Sequence, residues 1–188
     1  QMPQVPVEQS LYVIGGRNII MIGGHISIPW QGDGASIRSR TMLIFRETTG
    51  TVHVEGVLGD GADISEGIQI DAPDAVVQIQ NVRIENVHAR DQNGFTDNHP
   101  DLIQVYGNAA QVRIDRFTGS SDYQGLMFQV DFNGPQKPIY VLRTNMRSLP
   151  TARYMWWVRP DGNAAPIVLR DVWLEVSPNR RDGLGGAV

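Results

Sequence analysis

The sequence predicts an all-β protein, a single-stranded right-handed parallel β-helix of about six coils. Three observations lead there: a four-position apolar pattern recurs six times, each copy contains an odd step, and the copies are spaced at intervals suited to one coil.

The pattern places apolar residues at offsets 0, 2, 5 and 7. Its clearest copies are Val77, Ile79, Val82 and Ile84, then Ile139, Val141, Thr144 and Met146, then Ile167, Leu169, Val172 and Leu174. Weaker copies are Ile19, Met21, Gly24 and Ile26, then Val52, Val54, Val57 and Gly59, then Val112, Ile114, Phe117 and Gly119. Offsets 0 and 2 put two side chains on one face of a strand, whereas the step from 2 to 5 requires a corner before the next inward pair. A helix does not read this way. The copies start 33, 25, 35, 27 and 28 residues apart, room for three short strands, two compact corners and one variable loop.

A second strand precedes each copy, at residues 11–14, 42–45, 68–70, 102–105, 127–130 and 155–158. Corners rich in Gly, Asn and Pro join the pairs, as in Gly15-Gly16-Arg17-Asn18, Asp71-Ala72-Pro73-Asp74 and Gly107-Asn108-Ala109-Ala110. No coil can bury its inward residues alone, so stacking at about 4.8 Å per coil must create the core, in a stack of about 29 Å. Both ends then need covers. Residues 1–10 and the loop around Trp30 are expected at one end, and residues 177–188, a tail suited to flexibility, at the other. An antiparallel sandwich would show simple alternation and tight hairpins, which the corner step disfavours.

The 188 residues suit one domain, 1–188. Twenty acidic residues against 16 basic ones give a net charge of −4, with the basic residues scattered, which argues against nucleic acid as a partner. Cysteine is absent, so disulfides and thiolate metal sites are excluded. No signal peptide and no membrane-length apolar run occurs in the sequence.

Two phrases carry a family resemblance. Gly16-Arg17-Asn18-Ile19-Ile20-Met21-Ile22-Gly23-Gly24-His25-Ile26 resembles the opening coil of pectate-lyase-like β-helix proteins. Asn98-His99-Pro100-Asp101-Leu102-Ile103-Gln104, followed by Arg113-Ile114-Asp115-Arg116-Phe117-Thr118-Gly119 and Tyr123-Gln124-Gly125, resembles a pattern in secreted bacterial β-helix proteins of unassigned activity. The resemblance implies a superfamily of polysaccharide lyases, glycoside hydrolases and phage tailspikes, and an extracellular or periplasmic location. The calcium-binding aspartates and catalytic arginine pattern of the pectate lyases themselves are not recognisable.

Polar residues gather ahead of successive strands: Asp63 and Glu66 before Gln69, His99 and Asp101 before Gln104, and Asp122, Tyr123 and Gln124 before Met127. Stacked in register, these groups would share one lateral face, a natural groove for an extended sugar chain. In a lyase, His99 or Tyr123 would take the proton beside a uronate carboxyl while Gln104, Gln69 or a cation stabilises the developing charge. In a hydrolase, two of Asp63, Glu66, Asp101 and Asp122 would serve as acid and base. His99, Asp101 and Tyr123 are thus the catalytic candidates, with Asp63, Glu66, Gln69, Gln104, Asp122 and Gln124 as substrate-binding ones. The plainer account is that these residues cap corners and bond backbone amides.

No cofactor is expected, although Gly59-Asp60-Gly61-Ala62-Asp63 and residues 91–97 offer oxygens that would suit calcium. His25, His53 and His88 fall in separate coils without paired spacing, so a zinc site is not expected. Of the adjacent Trp156 and Trp157, one should face inward and one outward. An outward ring there or at Trp173 would stack on a sugar, cover the end of the core or contact a second subunit. The expected partner is a polysaccharide or oligosaccharide, with homo-oligomers forming through exposed ends. The alternative is a non-catalytic spacer, adhesin or tail-fibre module.

Overall fold

The computed structural model describes residues 5–72, 74–90, 99–107, 109–130, 138–158 and 166–177. The protein is all-β, with two six-stranded parallel sheets. One holds β1 (Leu11–Ile14), β3 (Thr41–Arg46), β5 (Glu66–Asp71), β7 (Ile103–Gly107), β9 (Gln124–Val130) and β11 (Tyr154–Val158), adjacent in that order. The other holds β2 (Asn18–Ser27), β4 (Thr51–Asp60), β6 (Val76–Val87), β8 (Gln111–Ser121), β10 (Ile139–Ser148) and β12 (Ile167–Glu175), again in chain order. The chain visits the two sheets alternately, and each strand pairs with strands two places away.

The starting residues of the apolar pattern form one continuous row: Ile19 pairs with Val52, Val52 with Val77, Val77 with Val112, Val112 with Ile139, and Ile139 with Ile167. In the odd sheet the corresponding row runs Leu11, Leu43, Ile68, Ile103, Leu126 and Trp156. The odd step has a uniform backbone cause. Four residues after each start, the chain adopts a left-handed conformation, at Gly23, Gly56, Asn81, Arg116, Arg143 and Asp171, with φ between 46° and 68°. Each follows directly on a row of register partners, Ile22, Glu55, Gln80, Asp115, Leu142 and Arg170. A left-handed residue redirects the strand and breaks its two-residue alternation, so Val54 and Val57 are both buried while Glu55 and Gly56 between them are not.

The apolar side chains of both sheets form one buried cluster, which includes Leu43, Phe45, Val52, Ile79, Ile103, Val112, Phe117 and Phe128. Glycines at the last pattern position receive side chains from the facing sheet. A methyl on Gly59 would collide with the Met42 sulfur, and one on Gly119 would lie 2.9 Å from both Leu102 methyls. Between these rows the sizes reverse: Ile84 stands between Gly59 and Gly119 in register, and its Cδ1 would be 2.6 Å from a methyl on Gly67. Large and small thus alternate across the core, which explains why Gly59 and Gly119 occupy apolar places in two of the weaker copies of the pattern.

One expectation needs correction. The segment around Trp30 does not simply close an end, because it contacts Asp63 and Arg90, which follow β4 and β6 in the chain. Asp63 accepts from the Gln31 amide at 3.0 Å, and the Arg90 guanidinium lies 4.0 Å from the Trp30 ring centroid while donating to the Gly32 carbonyl. The same segment contains a one-turn helix, α1 (Ile37–Arg40), that the apolar pattern does not announce; the Ser36 hydroxyl caps it by accepting from the Ser39 amide. Val7 does lie along β2, exchanging backbone bonds with His25 and Ser27. Trp156 packs against the core, edge-on to Phe128, while the neighbouring Trp157 ring meets Tyr154. All of the tail but Ser177, and the proposed oxygen ligands at 91–97, lie outside the described residues.

Candidate functional site

The candidate residues occupy the corners leading into the odd sheet and the starts of its strands. Ile68, Ile103 and Leu126 are register partners, so Glu66, Asp101 and Gln124, each two residues earlier, hold equivalent places on neighbouring rows. Backbone bonds continue this alignment: Gly67 donates to the Asp101 carbonyl at 2.9 Å, and Gln124 donates to the Pro100 carbonyl at 3.1 Å. Thr41 precedes Glu66 in the same row.

The row is polar and enclosed. Thr41, Asp101 and Gln124 are each 1% exposed and Glu66 6%. Thr41 Oγ1 donates to Glu66 Oε2 at 3.4 Å. Among the described residues, neither oxygen of Asp101 and neither amide atom of Gln124 has a hydrogen-bond partner. Among the described residues no cation pairs with either carboxyl. Burial pushes Glu66 up to about 7, against the Thr41 hydroxyl bond. Burial and then the neighbouring Glu66 push Asp101 well above the usual carboxylate range. Both carboxyls therefore keep their protons to higher pH than exposed carboxyls do.

Asp63 is the opposite case and corrects its assignment as a substrate contact. It is fully buried, and its oxygens are taken up within the protein: Arg40 Nε donates to Oδ1 at 2.7 Å, Arg90 Nε donates to Oδ1 at 3.0 Å, and Oδ2 receives Arg90 Nη2 and the Gln31 amide. Burial alone would raise its pKa, but the Arg90, Gln31 and Arg40 bonds outweigh that and hold it below the ordinary value. Asp63 therefore organises the Gln31 and Arg90 segments. Nearby, Asp60 Oδ1 contacts His25 Nε2 at 2.9 Å, so the carboxylates of the 59–63 stretch are engaged with protein cations or imidazole.

Asp122 is partly buried; burial raises its pKa, opposed by the Ala89 amide bonded to Oδ1 at 2.9 Å and by His88. This is the corner-capping role named above as the plainer account. His99 and Tyr123 do come together: their rings stack with centroids 6.0 Å apart and planes 10° apart, and the Arg153 guanidinium lies 5.1 Å from the Tyr123 ring centroid. Tyr123 is 1% exposed, so it is a core-side member of this stack and not an open groove residue. Gln69 and Gln104 pair in register and share a hydrogen bond of 3.2 Å between partly exposed side chains.

The residues not anticipated are Arg40, Arg90 and Arg153, which supply the cations around Asp63 and Tyr123, and Thr41, the hydroxyl on Glu66. Arg40 and Arg90 stand 23 and 27 residues from Asp63, close to one interval of the repeat, and that spacing is the signal that points to them. Among the described residues no group of three or more His, Asp or Glu side chains could hold a metal ion. None of the helices there is long and apolar enough to cross a membrane.

No protein-family model, characterised protein or solved structure matches this chain.

Proposed function

We propose that the two sheets are walls of one right-handed parallel β-helix of the pectate-lyase-like kind, and that this protein binds and cleaves a polysaccharide outside the cytoplasm. Support for the wound arrangement comes from the alternation of the chain between sheets and the left-handed residue that recurs four places after each start of the apolar pattern. The catalytic reading rests on a single contrast: Asp63 is neutralised by two guanidinium groups, whereas Glu66 and Asp101 sit on adjacent rows without a cation among the described residues. Uncompensated buried acids cost stability, and folds keep them where chemistry uses them.

Glu66, held near 7, is an acid of the strength that protonates a glycosidic oxygen at neutral pH. Turnover uses the pair with a single proton: the protonated carboxyl gives it to the leaving glycosidic oxygen while the ionised one bonds to the anomeric carbon, and water then displaces that carboxylate and returns the proton to the donor. Adjacent rows lie about 4.8 Å apart, close to the carboxyl separation of retaining hydrolases. Gln69 and Gln104, in register beside the pair, are suited to sugar hydroxyls. The pair is enclosed in the free chain, so the chain must open around it for substrate to enter.

The test is a screen of neutral and uronate-containing polysaccharides, reading new reducing ends and unsaturated uronate separately. Reducing ends without unsaturation, lost in both Glu66→Gln and Asp101→Asn, are expected. Unsaturated product, or full activity in Glu66→Gln, overturns the hydrolase reading. The second reading, a non-catalytic binding or spacer module, is favoured by the enclosure of Asp101, Tyr123 and Gln124, and binding without any product would establish it.

A further inference from the structure

The outer face of the even sheet carries a depression of about 370 Å³ that none of the residues above uses. Trp173, in the last strand β12, opens onto it with 72% of its surface exposed. Asn145 pairs with Trp173 in register, and Arg147 with Glu175, so an indole, an amide, a guanidinium and a carboxylate project from two adjacent rows. Arg83, Glu85 and Ser120 also line it. Glu85 receives Arg83 Nε on one oxygen and the Ser120 hydroxyl, at 3.0 Å, on the other, which fixes its orientation.

We propose that this depression binds a neutral saccharide, one ring stacked on Trp173 with its hydroxyls on Asn145, Arg147 and Glu175. An exposed indole offers a flat apolar surface that water solvates poorly, and the carbon–hydrogen face of a pyranose covers it without stripping the sugar's hydroxyls of hydrogen bonds. The surrounding planar groups both donate and accept, as hydroxyls require. Arg83 and Arg147 are balanced by Glu85 and Glu175, so the site has no net charge to attract a uronate or a phosphate. The strands run parallel at about 4.8 Å, which gives a sugar chain crossing them a second row of contacts. The Glu66–Asp101 pair is not involved, so this site stands or falls independently of the catalytic reading.

The experiment is titration of the full chain with neutral hexasaccharides (cello-, manno-, xylo- and laminari-series) and with an oligogalacturonate, followed by tryptophan fluorescence and calorimetry. Saturable binding of at least one neutral oligosaccharide is expected, weakened about tenfold or more in Trp173→Ala and retained in Trp30→Ala. Binding is the readout, so loss of turnover in an acid-pair variant does not bear on it. Four results would overturn the proposal: no neutral oligosaccharide binds, Trp173→Ala binds as tightly as the parent, the oligogalacturonate is preferred, or Trp173→Ala abolishes a ligand-independent dimer seen by sedimentation.

Discussion

Leu102 occupies the space that Gly119 leaves open: both Leu102 methyls would stand 2.9 Å from a methyl built on the glycine. Gly119→Ala is therefore expected to overpack the core and cost about 1–3 kcal/mol in urea unfolding. In the double variant with Leu102→Ala, the alanine at 119 should cost less than it does alone but still add to the leucine truncation, because Phe117 Cζ would also stand 2.9 Å from the new methyl. Gly67→Ala should resist such rescue, because its new methyl would meet the Leu102 carbonyl, which is backbone.

The column of left-handed residues separates backbone strain from packing. Gly23 has nothing within 4 Å of a built methyl, so Gly23→Ala tests conformation alone and should cost about 1 kcal/mol. Arg116, with φ of 53° on the exposed side of its strand, should behave in the opposite way. Arg116→Gly is expected to be neutral or to stabilise by about 0.5 kcal/mol, read as a small rise in Tm.

Asp63 neutralises Arg40, which is itself 2% exposed. Asp63→Asn keeps the shape and removes the charge, leaving a buried guanidinium uncompensated. The expected loss is about 3–5 kcal/mol by chemical denaturation. Arg90→Ala should cost less, because Arg40 still satisfies the carboxylate.

The two kinds of buried acid give stability opposite pH dependences. Glu66 has a folded pKa of about 7 against 4.5 when unfolded, so the folded state holds its proton longer; its contribution is fully present below 4.5 and is lost as pH rises through 7. Asp101 acts in the same direction. Asp63, held below its ordinary value, contributes above that value and loses the contribution as pH falls through its folded pKa. Thermal unfolding across pH should show decreasing stability from mildly acidic to neutral conditions. Glu66→Gln should flatten that slope and gain up to about 3 kcal/mol relative to the parent above neutrality.

Corner positions were legible because a left-handed residue leaves a mark in the spacing of buried residues, and Val54 to Val57 shows it as clearly as Ile79 to Val82. The alignment of Glu66, Asp101 and Gln124 followed from the same repeat. Burial at those places was not legible: Tyr123 lies in a run of Ser, Asp and Gln that reads as a loop, and only the stack with His99 and Arg153 reveals why it is enclosed. Asp63 was misread for a related reason, since a carboxylate awaiting a ligand and one facing two arginines look alike until the rows are in place. Trp173 was visible as an aromatic on an end strand, but the polar groups around it come from three other strands.

The raised pKa of Glu66 is tested most directly by carboxyl-carbon NMR titration of the glutamate side chains in the parent and in Glu66→Gln. One resonance titrating with a midpoint about 7, and missing from the variant, is the expected result. A Glu66 resonance titrating near 4.5 would mean an ordinary ionised carboxylate and would contradict it.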